Sequence, residues 1–359
     1  MLAGTPMSIL LLGAGGLLLL VTILPLVPSD ERFIRVWDFP RAQIAVLLAL
    51  VLIGSVIVFG MSQRAVVIWH LLLLLALCYQ LYRIFPYTPL HPVEMRRADG
   101  CTRADQARLL VANVLQSNRD SAPLRRLIEE TDPDVILLLE TDAWWEREMR
   151  PLQETHPHVV AQPQDDSYGM LLLSRLPLIE PRVRFLLDDY VPSIISDIRL
   201  ASGAQIRFHG VHPKPPPRHD TALRDAELMI VAREVRAEGQ PAIVAGDLND
   251  VAWSDTTRRF QKISGLLDPR IGRGFYNTFN ANWPLLRWPV DHVFSVNSFT
   301  LVDLRRLGHI GSDHFPFFIA LCHRPEAAER QPDPAADAED ERRAAETIRE
   351  GQKEAGAPE

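Results

Sequence analysis

Residues 242–250 read AIVAGDLND, and this stretch decides the fold. It opens with an apolar run that has no alternating polar position, which is typical of a strand buried on both faces. Asp247 ends the strand, and Asn249 and Asp250 turn the chain away from it. An Asp-x-Asn-Asp segment is by itself compatible with an ordinary turn, because Asp and Asn cap their own backbone. The other strands decide whether this one carries chemistry.

Acids, amides and histidines recur at or near the ends of other apolar strands. They are Asn113, Glu140, His212, Asp291-His292 and Ser312-Asp313-His314. An isolated acid inside an apolar strand, such as Asp291, is costly unless it is paired. A buried acid in this position often orients a histidine, and His314 is the natural partner. We therefore predict an active site at the strand ends.

The order of these residues, with the segments Gly246–Asp250 and Gly311–His314, resembles the endonuclease/exonuclease/phosphatase superfamily, the DNase I-like proteins. The resemblance covers roughly residues 108–321 and is weakest from Leu178 to Ile198. It implies an α/β fold, a four-layer αββα sandwich of two mixed sheets. Eight β-rich runs and four helical patterns over this region agree with that fold class.

The resemblance also implies a divalent metal. Glu140 is the principal carboxylate ligand, and Asn113 and Asp313 lie close to the ion, directly or through water. The metal is expected to be Mg²⁺ or Mn²⁺, since an all-oxygen shell that retains water suits hard cations.

The same resemblance assigns the catalytic residues. His314, oriented by Asp291, transfers a proton next to the phosphorus, and Asp247 with Asn249 holds the attacking water or a phosphate oxygen. His212 stabilises the charge of the phosphorane-like transition state. Asp247 and His314 both remain candidates for the general base.

Substrate binding is assigned to four residues, Asn249, His212, Tyr168 and Arg175. The first two belong to the catalytic set as well. Arg175 lies in Ser174-Arg175-Leu176-Pro177, which resembles a Ser-Arg-x-Pro segment of the superfamily. Tyr168 is equally compatible with core packing.

Three long apolar runs precede the predicted catalytic domain, at residues 7–28, 42–60 and 65–85. Each is long enough to cross a hydrocarbon core of about 30 Å. We predict three transmembrane helices in a multi-pass protein of the bacterial inner membrane. A cleaved signal peptide is the alternative for the first run, although it lacks a basic segment before its apolar stretch.

The chain divides into four predicted segments, a membrane anchor (1–88), a linker (89–106), a catalytic domain (107–323) and a charged disordered tail (324–359). From residue 325 onward the tail holds eleven acids and five bases, and so carries nearly all of the formal net charge of −7. The rest of the chain is almost neutral. This disfavours nucleic-acid binding, which normally requires a basic face.

The sequence leaves open which side of the membrane the catalytic domain occupies. The positive-inside rule favours a cytoplasmic catalytic domain, because the side of the membrane that would hold this domain has more arginines than the opposite side. The first side has Arg32, Arg35, Arg41, Arg96, Arg97 and Arg103, and the second has Arg64. The architecture is nevertheless similar to bacterial membrane-anchored members of the superfamily that are associated with glycopeptide resistance. In those proteins the domain faces outward and acts on lipid-linked pyrophosphates, and long domains translocate largely regardless of charge.

The three cysteines, Cys78, Cys101 and Cys322, have neither a metal-binding spacing nor the pattern of a disulfide framework. Zinc is therefore not expected. A single bridge between Cys101 and Cys322 remains an alternative.

Together these features predict a metal-dependent phosphohydrolase anchored in the membrane. Its expected partners are membrane lipids and a phosphorylated substrate, which is a lipid-linked or membrane-proximal phosphoester or pyrophosphate. A membrane-tethered Mg²⁺-dependent nuclease is the second hypothesis, and a non-catalytic scaffold domain is the third. The sequence does not predict the oligomeric state.

Overall fold

The computed structural model describes residues 5–27, 29–215 and 221–356. Its helices are α1 Pro6–Ile23, α2 Arg32–Arg35, α3 Arg41–Phe59, α4 Arg64–Ile84, α5 Ala122–Thr131, α6 Ala143–Met149, α7 Ala222–Glu238, α8 Asp255–Ser264 and α9 Ala338–Glu354. Short 3₁₀ helices occur at Leu24–Leu26, Val36–Asp38, Phe85–Tyr87, Arg103–Asp105, Arg150–Glu154 and Pro325–Glu329. Residues 1–4 and 28 of the predicted anchor and 357–359 of the predicted tail lie outside the described residues.

Two mixed sheets form the body of the molecule. Their strands are β1 Gln106–Asn113, β2 Val135–Leu139, β3 His158–Gln162, β4 Met170–Ser174, β5 Leu178–Phe185, β6 Pro192–Arg199, β7 Gln205–Val211, β8 Ala242–Asp247, β9 Asp291–Ser295, β10 Phe299–Arg306 and β11 Phe317–His323. One sheet has the strand order β10-β11-β1-β2-β4-β3, and the other has the order β5-β6-β7-β8-β9. The pairs β1–β2 and β7–β8 are parallel, and the remaining pairs are antiparallel.

The two sheets face each other across an apolar core that includes Leu109, Leu137, Phe208 and Ile243. Helices α5 and α6 cover the outer face of the first sheet, and α7 and α8 cover the outer face of the second. This arrangement confirms the predicted α/β sandwich of two mixed sheets between helices.

Strand pairing brings the polar strand ends to one edge. Since β1 and β2 run parallel, Asn113 and Glu140 leave their sheet together. The parallel pair β7–β8 likewise places His212 beside Asp247. Strand β9 runs antiparallel to β8 and begins at Asp291, directly opposite Asp247. Residues that are far apart in the sequence therefore meet where β1, β2, β7 and β8 end.

Gly246 permits the close approach of β7 and β8 at this edge. Its φ is +149°, which L side chains rarely adopt. A Cβ atom at this position would lie 1.8 Å from the carbonyl oxygen of Val211. Only glycine avoids both the strained backbone and the collision.

Strands β3, β5 and β10 have no counterpart in the sequence prediction, and each lies at the edge of its sheet. The side chains of β3 are half-buried throughout, and those of β5 are half-buried or exposed. Neither strand contains the continuous apolar run that marks a central strand. The other eight strands coincide with predicted runs, and their ends differ by up to three residues.

Three helices within the described residues, α1, α3 and α4, are long and apolar enough to span a membrane. Their bounds agree closely with the predicted apolar runs. Inside the bundle, the Arg41 guanidinium donates to the Gln80 side chain over 3.1 Å, and the Gln80 amide donates to the Thr22 hydroxyl over 3.0 Å. These polar groups are buried and paired, as polar groups between apolar helices must be.

The ends of these helices pack directly on the loop that follows β8. The Trp253 indole donates to the carbonyl of Asp38 over 2.7 Å, and Arg83 donates to the carbonyl of Trp253 over 2.6 Å. The Tyr87 hydroxyl donates to the carbonyl of Ala252 over 2.5 Å. Apolar side chains of both regions share one core cluster. The apolar helices are thus joined to the edge that carries the polar strand ends by packing as well as by the chain.

The C-terminal segment corrects one prediction. The expected disordered tail instead contains α9, which packs on α7 with Ala344 fully buried and Gly351 against Ala226. Lys262 forms an ion pair with Asp340 over 2.8 Å. Small side chains allow α7 and α9 to approach, and Lys262 pairs α8 with α9, so a segment with few large apolar residues still folds. The boundaries of the other predicted segments stay a prediction.

Cys101 and Cys322 form a disulfide. It joins the segment before β1 to the end of β11, across a sequence separation of 221 residues. The bridge that the sequence left as an alternative is therefore part of the fold.

We expect Gly246→Ala to destabilise the protein by at least about 2 kcal/mol, because the new methyl group collides with the Val211 carbonyl. Chemical unfolding in detergent measures the effect. Gly308→Ala is the matched control, since a Cβ atom there meets nothing within 4 Å. Equal stability of the two variants would contradict the close approach of β7 and β8.

Candidate active site

The first group of polar residues at this edge centres on Glu140. Its carboxylate accepts from the Asn113 amide over 2.7 Å and from the backbone N–H of Gln116 over 3.4 Å. The φ of Glu140 is +61°, an uncommon conformation for a non-glycine residue. Such strain persists where the surroundings fix a side chain, which makes this strand end a candidate functional position.

The Glu140 group has the donors that a hard divalent cation requires. Burial raises the pKa of Glu140, although the Asn113 hydrogen bond and the charge of His314 lower it, and the Asp313 charge raises it further. One carboxylate oxygen of Asp313 is buried without a hydrogen-bond partner in the part of the chain that the structure describes. Neither acid forms an ion pair with Lys or Arg within residues 5–27, 29–215 and 221–356. The carboxylates of Glu140 and Asp313 therefore fit a cation such as Mg²⁺. Asn113 instead turns its amide nitrogen to Glu140, and its amide oxygen accepts from the backbone N–H of Leu115 over 3.1 Å.

The second group centres on His314. Its Nδ1 lies 2.8 Å from an Asp291 carboxylate oxygen, and its Nε2 lies 3.6 Å from Asp247. All three side chains are buried. The two groups touch, because the Asn113 amide also donates to Asp247 over 3.3 Å. The predicted pairing of Asp291 with His314 is present in the structure.

The charges of this group determine its protonation. Burial lowers the pKa of His314, but the carboxylates of Asp291 and Asp247 outweigh that effect and raise the pKa to about 10. Burial raises the pKa of Asp247 to about 6, and the neighbouring Asp291 charge adds to this effect. At neutral pH the imidazole is therefore protonated and Asp247 is ionised.

Asp247, Asp291 and His314 are themselves a possible metal site, since one ligand atom from each lies within 4.8 Å of the others. A histidine binds a metal through a nitrogen that carries no proton. The Nδ1 of His314 is engaged with Asp291, which leaves Nε2 as the nitrogen that could face an ion. Both polar groups therefore offer ligand atoms to a divalent metal, and the second group also contains a histidine that can transfer a proton.

His212 and Asn249 complete the edge around Asp247. His212 Nε2 lies 3.9 Å from Asp247, and burial lowers the pKa of His212, which keeps its ring neutral. Its Nδ1 has no hydrogen-bond partner among the described residues. The backbone N–H of Asn249 donates to Asp247 over 2.8 Å, and its amide donates to the carbonyl of Pro213 over 3.0 Å. Asp247 is thus held at the centre of the site.

The two remaining predicted substrate-binding residues lie in different places. The Tyr168 ring is half-buried with its centroid 5.9 Å from that of His212, at the border of the site. Arg175 follows the end of β4 that pairs with the start of β2, and it bonds Asp132 over 2.6 Å. It is roughly 13 Å along the sheet from the Glu140 end. The assignment of Arg175 to the substrate site is therefore wrong.

Three residues at the site were not predicted as site residues. The Ser312 hydroxyl donates to the carbonyl of Asn113 over 2.8 Å and accepts from the N–H of His314 over 3.0 Å. The Phe279 ring lies 4.9 Å from the His314 ring, and Gln116 donates to Glu140 as described above. Ser312 stands within a predicted motif, which is a usable signal. Phe279 and Gln116 lie in loops and have no such signal.

The family model for the Endonuclease/Exonuclease/phosphatase family matches residues 110–314, more than half of the chain. The chain belongs to this family. The match spans the residues from β1 to His314, and thus every residue of both polar groups. No curated protein matches the sequence of this endonuclease/exonuclease/phosphatase family member.

Several solved structures have a similar fold. An endonuclease/exonuclease/phosphatase from Bacteroides vulgatus has 15% identity and a TM-score of 0.52, over 61% of this chain and 99% of its own. The human Nocturnin catalytic domain with bound sulfate anion has 16% identity and a TM-score of 0.52, over 62% and 96%. D. rerio TDP2 complexed with single strand DNA product has 16% identity and a TM-score of 0.50, over 60% and 98%.

We expect Asp291→Asn to lower the pKa of His314 by about 1–3 units, because the variant removes the carboxylate that bonds Nδ1. NMR titration of histidine-labelled protein in metal-free buffer measures this pKa. The raised pKa stabilises the fold below the unfolded value of about 6.5, and this stabilisation is lost as pH rises through 10. Asp303→Asn, at a half-exposed position, is the control, and an unchanged His314 titration in Asp291→Asn would contradict the pairing.

Proposed function

We propose that this protein is a metal-dependent phosphohydrolase that cleaves a lipid-linked phosphoester or pyrophosphate at a bacterial cell membrane. The observation that carries the proposal is the junction between the apolar helices and the loop after β8. Asp38, Arg83 and Tyr87 form hydrogen bonds with Ala252 and Trp253 of this loop. These two residues follow Asn249 by three and four positions. A phosphate bound between Asn249 and His314 would therefore lie close to the membrane surface.

The side chains of the site suit hydrolysis of a phosphoester. Asp247 is ionised at neutral pH and fixed by Asn249, so it can accept a proton from an attacking water. His314 is protonated and can donate to a phosphate oxygen or the leaving group. His212 Nε2 lies 3.9 Å from Asp247 and can hydrogen-bond an oxygen of a phosphate bound beside that carboxylate. This assigns the general base to Asp247.

A divalent ion, Mg²⁺ or Mn²⁺, would be held by Glu140 and Asp313 with Asn113 beside them. When bound, it supplies positive charge that offsets the charge of the phosphate. Asn113 contacts Glu140 and Asp247 through one amide nitrogen, so this residue couples the ion to the base.

We further propose that the catalytic domain faces the outside of the cell. The Cys101–Cys322 disulfide supports this side, because disulfides persist in oxidising compartments. The arginine count favours the opposite side, but Arg41 is fully buried and bonds Asp38 and Gln80. Its presence therefore has a structural reason that is independent of topology.

Phosphate release from a lipid phosphate or pyrophosphate by the purified full chain tests the activity. We expect Glu140→Gln and Asp247→Asn each to lower kcat/KM by about 100-fold or more, since each removes a charge at the reacting phosphate. Arg175→Ala is the matched control, because Arg175 pairs with Asp132 away from the site and its loss leaves the rate unchanged. No phosphate release, together with Mg²⁺-dependent nicking of plasmid DNA, would contradict the proposal in favour of a nuclease.

A C-terminal fusion tests the side of the membrane. We expect an alkaline phosphatase fused after residue 359 to be active in cells, because that enzyme folds only where disulfides form. Fluorescence of a green fluorescent protein fused at the same position, with an inactive phosphatase fusion, would place the domain in the cytoplasm.

A further inference from the structure

A cavity of about 670 Å³ lies between the segment that joins α1 to α3, the loop that follows β8 and the loop that precedes β9. At one end its wall includes His314 and Asn249. At the other end the wall includes Val36, Phe39 and Leu286. The cavity therefore connects the catalytic edge with residues that adjoin the apolar helices.

Aromatic rings line the cavity between its two ends. Phe39 and Trp288 pack edge to face with centroids 5.7 Å apart, and Trp288 and Phe279 lie 6.2 Å apart. Phe279 in turn lies 4.9 Å from His314. A continuous apolar wall thus leads from the apolar helices to the catalytic imidazole.

Two of the three arginines that line the cavity are compensated within the protein, and the third, Arg32, is exposed and forms no ion pair among the described residues. Arg35 bonds Thr256 and pairs with Asp38, and Arg224 pairs with Asp225 and Asp250. These arginines are therefore engaged before any ligand binds. The middle of the cavity therefore suits an uncharged hydrocarbon chain. A phosphate group would contact His314 and Asn249 at one end of the cavity.

The open side of the cavity is bordered by exposed apolar residues. Trp283, Leu285 and Leu286 are 64%, 84% and 45% exposed in one loop of the catalytic domain. The Gln43 side chain, in the first turn of α3, donates to the carbonyl of Leu285 over 2.9 Å. This loop is thus fixed beside the start of a candidate membrane span, where such side chains are buried in lipid.

We propose that this cavity binds the hydrocarbon chain of the substrate next to its phosphate, and that the chain enters from the bilayer between residues 32–40 and the loop 279–288. The inference rests on the proposed function and adds the place where the lipid chain of that substrate binds. The volume lies in the range of about 300–1,000 Å³ that holds a drug-sized ligand. The cavity would bind the part of the hydrocarbon chain that lies next to the phosphate. The rest of the hydrocarbon chain would stay in the membrane.

The test compares a long-chain alkyl phosphate in phosphatidylcholine vesicles with a water-soluble short-chain alkyl phosphate, using the full chain reconstituted in those vesicles. We expect Phe39→Ala and Leu286→Asp each to lower the ratio of kcat/KM for the long over the short substrate about tenfold. Leu286 is partly exposed, so its substitution is tolerated by folding. Phe33→Ala is the control, because Phe33 is 78% exposed in the same segment and leaves the ratio unchanged.

An unchanged ratio in both cavity variants overturns the inference while the proposed function stands. If the wild-type protein hydrolyses neither substrate, the proposed function fails, and chain binding is then decided by cross-linking. A long-chain alkyl phosphate with a diazirine near its phosphate should label residues 36–40 or 286–290. Labelling confined to α1, α3 and α4 overturns the chain site.

Discussion

The structure of the catalytic edge depends on the electrostatic attraction between the His314 ring and the carboxylates of Asp247 and Asp291. All three side chains are buried. Asp247 and Asp291 belong to one sheet, whereas His314 precedes β11 of the other. Two carboxylates and one imidazolium thus join the two sheets where their strands end. Removal of one member of such a group leaves an uncompensated buried charge, which is strongly destabilising. The attraction between these charges connects the two sheets. It also favours the ionised form of Asp247 and the protonated form of His314 at neutral pH.

The sequence was sufficient for the centre of the fold and for much of the site. Asn113, Glu140 and Asp247 could be recognised because each interrupts or ends an apolar strand, and a buried polar group there requires a partner. Strands β3, β5 and β10 could not be predicted, since most of their side chains are half-buried or exposed and lack a continuous apolar run. The edge strand β9 is buried throughout, and its apolar run was therefore recognised. Arg175 was misplaced because a position after a strand does not reveal which end of the sheet it faces. The contact of Phe279 depends on the path of a long loop, which no periodicity specifies.

The apolar helices are part of the same folded body as the catalytic domain. Tyr87 and Trp253 belong to one core cluster, and Arg83 bonds the chain beside them. Such a junction holds the catalytic edge at a fixed height and orientation relative to the ends of the helices. A flexible tether would provide proximity to the membrane, but it would not define which surface of the domain meets the bilayer. Here the surface that adjoins the apolar helices is the one that carries His314.

The disulfide between Cys101 and Cys322 makes the catalytic fold a covalent ring. The ring begins after the last apolar helix and closes at the end of β11, so it contains all eleven strands of the two sheets. Cleavage of a surface loop by a protease would open the ring without releasing either fragment. The cut pieces would stay attached to the apolar helices and to each other, so a nicked molecule could reassemble in place. The bridge therefore protects the connectivity of the chain, a different contribution from stabilising its folded state.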